Sequence, residues 1–146
     1  LKYEAKIING DFITHKINEK FDCILIDAPC SASGLIQKKP EMLVMKKNIN
    51  DLKIKQTLML ERASKLLKDD GCLIYCVCSI IFSEGEGQIQ KFLQNFKNFS
   101  LINCFSSIES FGMKSNNLPY FFTTPDLSSE QGGIDGFFIA CLKKNY

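Results

Sequence analysis

Two nearly continuous apolar runs, at residues 21–26 and 72–77, constrain the fold of this chain most strongly. Strands that are apolar on both faces are typical of a parallel sheet covered on its two sides. Between the two runs, residues 50–68 carry apolar side chains at helical spacing. A strand, a helix and a second strand in this order predict a parallel α/β sheet.

The remaining segments extend this prediction. A short strand is expected at residues 5–9, with no neighbouring strand in the chain, which favours disorder, a non-native pairing or a dimer. The Asp-Asp-Gly segment at residues 69–71 is expected to end the first helix, and Ser83 to cap a second helix that begins at Glu84. Late strands at residues 99–105 and 137–142, joined by a polar loop at residues 106–133, predict an antiparallel pair at the sheet edge.

Each apolar run opens into a Cys-Ser pair. The first run is followed by residues 27–31, Asp-Ala-Pro-Cys-Ser, and the second leads into residues 77–79, Val-Cys-Ser. Ligands of open α/β sheets bind at the carboxyl ends of the strands. Two thiols and the Asp27 carboxylate therefore predict a chemical site at this end of the sheet.

With these motifs, the chain resembles the RNA (cytosine-5) methyltransferases of the Sun/Fmu/nucleolar-protein-2 type. Members of that family carry an Asp-Ala-Pro-Cys-Ser motif at one strand end and a Thr-Cys-Ser motif at another, where this chain has Val77. The further matches follow in the family's order along the chain: they are Gly10-Asp11, residues 34–36, residues 38–41, Glu84 and residues 133–138.

The resemblance implies methyl transfer from S-adenosylmethionine to carbon 5 of a cytosine in RNA, with ribosomal RNA the family's usual substrate. In such a reaction a thiolate adds to carbon 6, which makes carbon 5 able to take a methyl group. The resemblance assigns Cys78 as the nucleophile and Cys30 to release of the covalent adduct. It implies that Asp27 holds the base or the methionine end of the cofactor, that Asp11 contacts the adenosine, and that Pro29 lines the cofactor pocket.

Several lysines follow the first motif, and Lys38 and Lys39 are expected to contact RNA phosphates. The alternative for the cluster, which also includes lysines at positions 46, 47, 53 and 55, is an ordinary solvated helix face. The Phe-Phe pair at residues 121–122 could stack on a base, but covering a sheet edge is the favoured interpretation. Asp135 is interpreted as a turn residue.

The family's glycine-rich cofactor loop has no counterpart in this sequence, and neither has the acidic strand end that follows it. The resemblance therefore implies an α/β, Rossmann-like methyltransferase sheet of which residues 1–146 are the C-terminal part, with an incomplete S-adenosylmethionine site. The isolated chain is expected to be inactive. Its expected protein partner is a separate N-terminal half or, through self-association, another copy of the chain. The alternative is a non-catalytic RNA- or protein-binding remnant of the same fold.

The composition of the chain bears on its cellular compartment, on metal binding and on membrane contact. The 146 residues include seven cysteines, an odd number without the spacing of a secreted disulfide scaffold, which favours a reducing cytoplasm. With one histidine and no Cys-x-x-Cys pair, a metal site is not expected. A small metal or redox protein is therefore kept only as the third hypothesis, after the methyltransferase and the non-catalytic remnant. No apolar run approaches the roughly 18 residues of a membrane span, so no membrane contact is predicted.

Without a glycine-rich loop, residues 1–146 are expected to bind S-adenosylmethionine only weakly. Backbone amides at such a loop and at the helix that follows it would face the charged end of the cofactor. Isothermal calorimetry of the 146-residue chain with S-adenosylmethionine should therefore show no tight binding. A dissociation constant in the micromolar range would contradict the expectation of an incomplete site.

Overall fold

The computed structural model describes residues 4–45, 48–103, 119–127, 130 and 132–146. These residues form a mixed five-stranded sheet with two α-helices, and short 3-10 turns follow the first strand. The strands are β1 (Phe21–Asp27), β2 (Leu67–Val77), β3 (Phe99–Ile102), β4 (Tyr120–Thr123) and β5 (Phe137–Lys144); the helices are α1 (Ile49–Leu66) and α2 (Glu86–Asn95); the 3-10 turns are Ser33–Leu35 and Pro40–Leu43.

The sheet combines one parallel pair with antiparallel pairs. β1 and β2 are parallel and are connected through α1, as predicted. β5 runs antiparallel to β2, and its other edge carries β3 and β4. β3 pairs with residues 141–144 and β4 with residues 137–140, so the two short strands together form one interrupted edge strand. The antiparallel pairing of the late strands is confirmed, although β5 lies inside the sheet.

Both helices pack on the same face of the sheet. Leu73, Tyr75 and Val77 alternate along β2 and are each 0% exposed. Burial of an apolar side chain of this size contributes roughly 1.5–3 kcal/mol. The side chain of Asn48 caps α1 by accepting a hydrogen bond from the Asn50 amide at 3.0 Å. The helices add four residues to the same core: Leu60, Ala63, Ile89 and Phe92.

The opposite face of the sheet is only partly covered by the described residues. On β1, Leu25 is 63% exposed, and on β2 the alternate residues Cys72, Ile74 and Cys76 are half-buried. The prediction that the first apolar run is covered on both faces is therefore wrong for this part of the chain, because both described helices lie on one side.

The strand predicted at residues 5–9 does not form, and the segment has no strand partner among the described residues, as expected. Residues 4–20 contain no strand, and Ile7 is 90% exposed. Two adjacent isoleucines favour a strand locally, but a strand forms only where a neighbour satisfies its backbone groups. The segment is instead held near α1, where the Arg62 guanidinium donates a hydrogen bond to the His15 carbonyl at 3.0 Å.

The Asp-Asp-Gly segment at residues 69–71 does not end the helix. α1 ends earlier, at Leu66, and β2 follows at once. Pairing with β1 passes from Leu67 directly to Cys72, so the intervening residues bulge from the ladder. Asp70 adopts a left-handed φ of 60° within this bulge, a conformation that aspartate tolerates better than most residues.

Ser83 does not cap the second helix, which begins two residues later than predicted. A turn places Gly85 at the cap position, without a side-chain cap, and α2 starts at Glu86. Glycine is required there because a Cβ atom would lie 2.8 Å from the Phe138 ring. The turn leaves Glu84 pointing into the molecule rather than along the helix.

The predicted late loop is wrong at β4. The Tyr-Phe-Phe-Thr sequence of β4 is aromatic and β-branched, which suits a strand, although polar residues flank it. The Phe-Phe pair at residues 121–122 is part of this edge strand, whereas the favoured interpretation had the pair covering a sheet edge. Of the predicted segments, residues 104–118, 128–129 and 131 lie outside the described residues, as do the lysines at positions 46 and 47. Neither α1 nor α2 is long and apolar enough to cross a membrane.

A close backbone approach joins the loop after β1 to the start of β5. The Gly136 amide donates to the Gly34 carbonyl at 2.8 Å, and a Cβ built on Gly34 would lie 1.9 Å from the Gly136 carbonyl oxygen. Only glycine fits at this contact without moving one of the two segments.

The substitution Gly34→Ala should lower the free energy of unfolding by about 3 kcal/mol, because the added methyl group forces two backbone segments apart. Urea denaturation measures this change. Gly132→Ala is the matched control: its Cβ would contact nothing within 4 Å and only its φ of 95° is strained, so about 1 kcal/mol is expected. Equal effects of the two substitutions would contradict the close approach.

Candidate active site

The two predicted cysteines meet at the carboxyl ends of β1 and β2. Cys30 is buried in the loop after β1, and Cys78 directly follows the last residue of β2. Their sulfur atoms are 3.3 Å apart, within hydrogen-bond distance. A disulfide would require about 2.05 Å, so the contact is between two thiols. The prediction that the two cysteines lie together at one end of the sheet is confirmed.

Backbone hydrogen bonds hold the two cysteine loops together. The Ala28 amide donates to the Cys76 carbonyl at 3.0 Å, and the Gly34 amide donates to the Cys78 carbonyl at 3.1 Å. These bonds continue the contact between the two segments beyond the ends of β1 and β2, so the backbone of each cysteine loop is tied to the sheet.

The environment of Cys30 favours its protonated form. The hydrogen bond with Cys78 raises the pKa of Cys30, and burial raises it further, so the thiol stays protonated at neutral pH. A protonated Cys30 can donate its hydrogen to the Cys78 sulfur. The 3.3 Å distance between the two sulfur atoms is short enough for this hydrogen bond.

A buried carboxylate lies behind the cysteine pair. Glu84 is 0% exposed. Its Oε1 atom accepts hydrogen bonds from the Ser31 amide at 2.9 Å and from the Gln56 side chain at 3.2 Å. Its Oε2 atom accepts from the hydroxyls of Ser31 at 2.5 Å and Ser79 at 2.6 Å. One carboxylate thus contacts the residues that directly follow both cysteines.

Further side chains support this carboxylate from the helices and from β2. The Gln56 amide also donates to the Pro29 carbonyl at 3.0 Å, and Gln88 donates to the Gln56 oxygen at 3.1 Å. The Tyr75 hydroxyl donates to the Glu84 backbone carbonyl at 2.7 Å. Burial is the largest cause that raises the pKa of Tyr75, which keeps this donor protonated.

The predicted site residue Asp27 is the last residue of β1 and is exposed. It pairs in register with Cys76, on the partly covered face of the sheet. Burial, followed by the charge of Asp27, raises the pKa of Cys76. The neutral Cys76 thiol donates to the Ile26 carbonyl at 3.2 Å.

The other predicted cofactor residues lie at different places. Pro29 is exposed beside the cysteine pair and offers its carbonyl to Gln56. Asp11 is exposed in a turn of its own, where its carboxylate accepts from the Ile13 amide at 2.7 Å. The structure therefore gives Asp11 a local capping contact, and its contact with adenosine stays a prediction.

The two predicted RNA-binding lysines are exposed near the 3-10 turns. Lys38 forms a 2.9 Å ion pair with Asp135. Lys39 precedes the second 3-10 turn, and its amide donates to the Leu35 carbonyl at 2.8 Å. Asp135 accordingly has a partner beyond its predicted turn role. Among the described residues, no group of three or more His, Cys, Asp or Glu side chains is arranged to hold a metal.

Sequence reasoning missed most of the polar residues that hold the cysteine loops. The sequence marks Glu84 as a family match and as the predicted start of the second helix, and it marks the two serines as members of their motifs. A signal existed for Gln56, which lies on the apolar stripe of α1 with Leu60 and Ala63. A polar residue at such a position requires a buried partner, which here is the Glu84 carboxylate.

Comparison with known proteins identifies the family of this chain. A family model described as "16S rRNA methyltransferase RsmB/F" matches residues 1–143. The chain belongs to this family. Two curated members are named Ribosomal RNA small subunit methyltransferase B: that of Shewanella oneidensis is 33% identical over 99% of the chain, and that of Enterobacter sp. strain 638 is 36% identical over 87%. The chain spans 32% and 27% of the lengths of these two relatives.

Solved structures share the fold of this family member. The crystal structure of PH0851 is 33% identical and superposes with a TM-score of 0.71, covering 84% of this chain and 26% of the solved chain. The structure of NSun6 from Pyrococcus horikoshii with SFG has a TM-score of 0.73 at 24% identity, covering 97% and 35%. These likenesses confirm the predicted fold class, an α/β methyltransferase sheet.

The raised pKa of Cys30 predicts how stability depends on pH. In the unfolded chain the thiol ionises near its ordinary value of 9.0, whereas in the folded chain it stays protonated. The free energy of unfolding should therefore fall as the pH rises from about 8 to about 10, because the unfolded state then binds fewer protons. Urea denaturation across this range should show a shallower fall for Cys30→Ala. Cys23→Ala, at an exposed cysteine of β1, should keep the original slope; equal slopes for all three proteins would contradict the assignment.

Proposed function

We propose that this chain carries the catalytic end of an RNA cytosine-5 methyltransferase domain, with ribosomal RNA as the substrate and S-adenosylmethionine as the methyl donor. The observation that carries the proposal is the 3.3 Å contact between Cys30 and Cys78 at the carboxyl ends of two parallel strands. Membership of the family and the names of its curated relatives support the substrate class. Residues 1–146 are, in this proposal, part of a methyltransferase catalytic domain.

Cys78 acts first in the proposed reaction. Its thiolate forms a bond to carbon 6 of cytosine, and the electron pair displaced to carbon 5 takes up the methyl group. A base then removes the carbon 5 proton, the double bond re-forms, and the bond between carbon 6 and sulfur breaks. The protonated Cys30 thiol, 3.3 Å away, stabilises the departing Cys78 thiolate by donating a hydrogen bond.

The residues at the end of β1 fit one side of a cofactor site. Asp27 is exposed there, so its carboxylate can hold the ammonium group at the methionine end of S-adenosylmethionine, and Pro29 is exposed beside it. When bound, the cofactor supplies an electrophilic methyl group. Asp11 is proposed to contact the adenosine, and the rest of the cofactor site comes from outside the described residues.

Lys38 and Lys39 are proposed to contact RNA phosphates near the cysteine pair. Both are exposed on the segment that follows the Cys30 loop. The ion pair of Lys38 with Asp135 is on the surface, where such a pair is worth about 0–1 kcal/mol. A phosphate can therefore replace Asp135 at little cost.

The partly covered sheet face is proposed to receive a further partner. Leu25 is 63% exposed on β1, which is also an edge strand. An N-terminal portion of the same domain, or a second copy of this chain, would cover this apolar surface and satisfy the strand edge.

The cytoplasm, where thiols stay reduced, is the proposed location of the protein.

A chimeric enzyme tests the proposed function. The matching third of the Shewanella oneidensis relative is replaced by residues 1–143 of this chain. Methyl transfer to small-subunit ribosomal RNA is then followed with tritiated S-adenosylmethionine. The chimera should methylate the RNA, and Cys78→Ala should abolish both methylation and adduct formation. Cys30→Ala should accumulate a covalent protein–RNA adduct on a denaturing gel, because the first thiolate adds but is not released.

Cys23→Ala serves as the cysteine control and should keep full activity, since Cys23 is exposed on β1 away from the pair. An adduct in the Cys78→Ala protein would reverse the two roles. A chimera that is as stably folded as the parent enzyme but neither methylates RNA nor forms an adduct would favour the alternative. In that case the chain is a non-catalytic RNA- or protein-binding remnant.

A further inference from the structure

Glu84 is a buried carboxylate that the two-thiol reaction does not use. Its side chain is 0% exposed, so it cannot touch an RNA base from its present position. Among the described residues, no lysine or arginine forms an ion pair with it. Burying a charge without such a pair is costly unless hydrogen bonds compensate, so its donors must account for its presence.

The donors of Glu84 come from both cysteine loops. The Ser31 amide and hydroxyl bond to its two oxygens at 2.9 Å and 2.5 Å, and the Ser79 hydroxyl bonds at 2.6 Å. Ser31 follows Cys30 and Ser79 follows Cys78 in the sequence. Hydrogen bonds to a charged acceptor are about twice as strong as neutral ones. The carboxylate therefore ties the backbone beside one thiol to the backbone beside the other.

Two glutamines set the position of the carboxylate itself. Gln56 on α1 donates to Glu84 at 3.2 Å, and Gln88 on α2 donates to Gln56 at 3.1 Å. Gln56 and Gln88 are 0% and 5% exposed. Because they come from the two helices of the core, Gln56 and Gln88 tie Glu84 to the helices as well as to the cysteine loops.

We propose that Glu84 is a positioning residue that keeps Cys30 in contact with Cys78, so that Cys30 can act on the adduct formed by Cys78. The inference rests on the proposed function for its catalytic meaning, but the thiol contact itself can be tested without methyl transfer. Glu84 acts through the Ser31 and Ser79 donors and touches neither the RNA nor the cofactor.

The first test measures how readily the two thiols meet in the 146-residue chain. Diamide removes two protons and two electrons from a thiol pair, and a sulfur–sulfur bond forms. Peptide mass spectrometry follows formation of the Cys30–Cys78 disulfide under conditions where every variant is folded. Glu84→Ala should slow this step by about 10-fold to 100-fold, since displacements near 1 Å have effects of that size. Glu84→Gln should restore most of the rate, because its amide can still bond to both serine hydroxyls.

Two further variants keep the test decisive. Glu61→Ala removes a half-buried glutamate of α1 away from the cysteine loops and should leave the rate unchanged. If Glu84→Ala does not fold, the double variant Ser31→Ala/Ser79→Ala removes both hydroxyl donors and should show the same slowing. A folded Glu84→Ala or double-serine variant that forms the disulfide at the original rate would overturn the proposal and leave Glu84 with a purely structural role.

The second test uses the chimeric enzyme. If Glu84 positions Cys30, Glu84→Ala should accumulate the covalent RNA adduct as Cys30→Ala does, whereas general damage would reduce adduct and product together. A proportional loss of both would contradict the positioning role. A chimera that forms no adduct at all would count against the proposed function, while the disulfide rates would still decide the role of Glu84.

Discussion

The geometry of the cysteine pair depends on one buried carboxylate. Glu84 accepts hydrogen bonds from the residues after both cysteines and is itself held by Gln56 from α1. Parallel pairing of β1 and β2 brings two loops to one end of the sheet, but strand pairing alone does not fix two side chains beyond the strand ends. The carboxylate supplies that constraint, and the sulfur atoms lie 3.3 Å apart.

The same network joins the site to the core. Tyr75 is 0% exposed in the middle of the covered sheet face, and its hydroxyl reaches the Glu84 carbonyl at 2.7 Å. Side chains such as Gln56 and Gln88 occupy helix positions that face the core, so the polar network replaces apolar packing there. Buried polar groups of this kind are favourable only when every member is satisfied. A change at one member therefore alters both the stability of the domain and the placement of the thiols.

The parts of the fold set by local pattern were predictable, and those set by distant contacts were not. β1, β2 and the helix between them follow from apolar runs and helical spacing, and the meeting of their carboxyl ends places Cys30 near Cys78. The strand expected at residues 5–9 fails because strand formation needs a partner, and β4 was missed because its partner, β5, lies beyond a polar segment. Glu84 could be matched to a motif, but only the turn before α2 reveals that it points inward.

In this account, the Cys78 sulfur is the atom that forms the covalent bond to cytosine. The most direct measurement is peptide mapping of the chimeric enzyme after reaction with RNA containing 5-fluorocytidine, in which fluorine replaces the carbon 5 hydrogen. Release requires that carbon 5 lose a proton. Fluorine at this position cannot be removed by a base, so the modified cytosine stays bonded to the sulfur that attacked it. Mass spectrometry should find the modified nucleotide on Cys78. Modification of Cys30, or of a cysteine on the strands such as Cys76, would contradict the account.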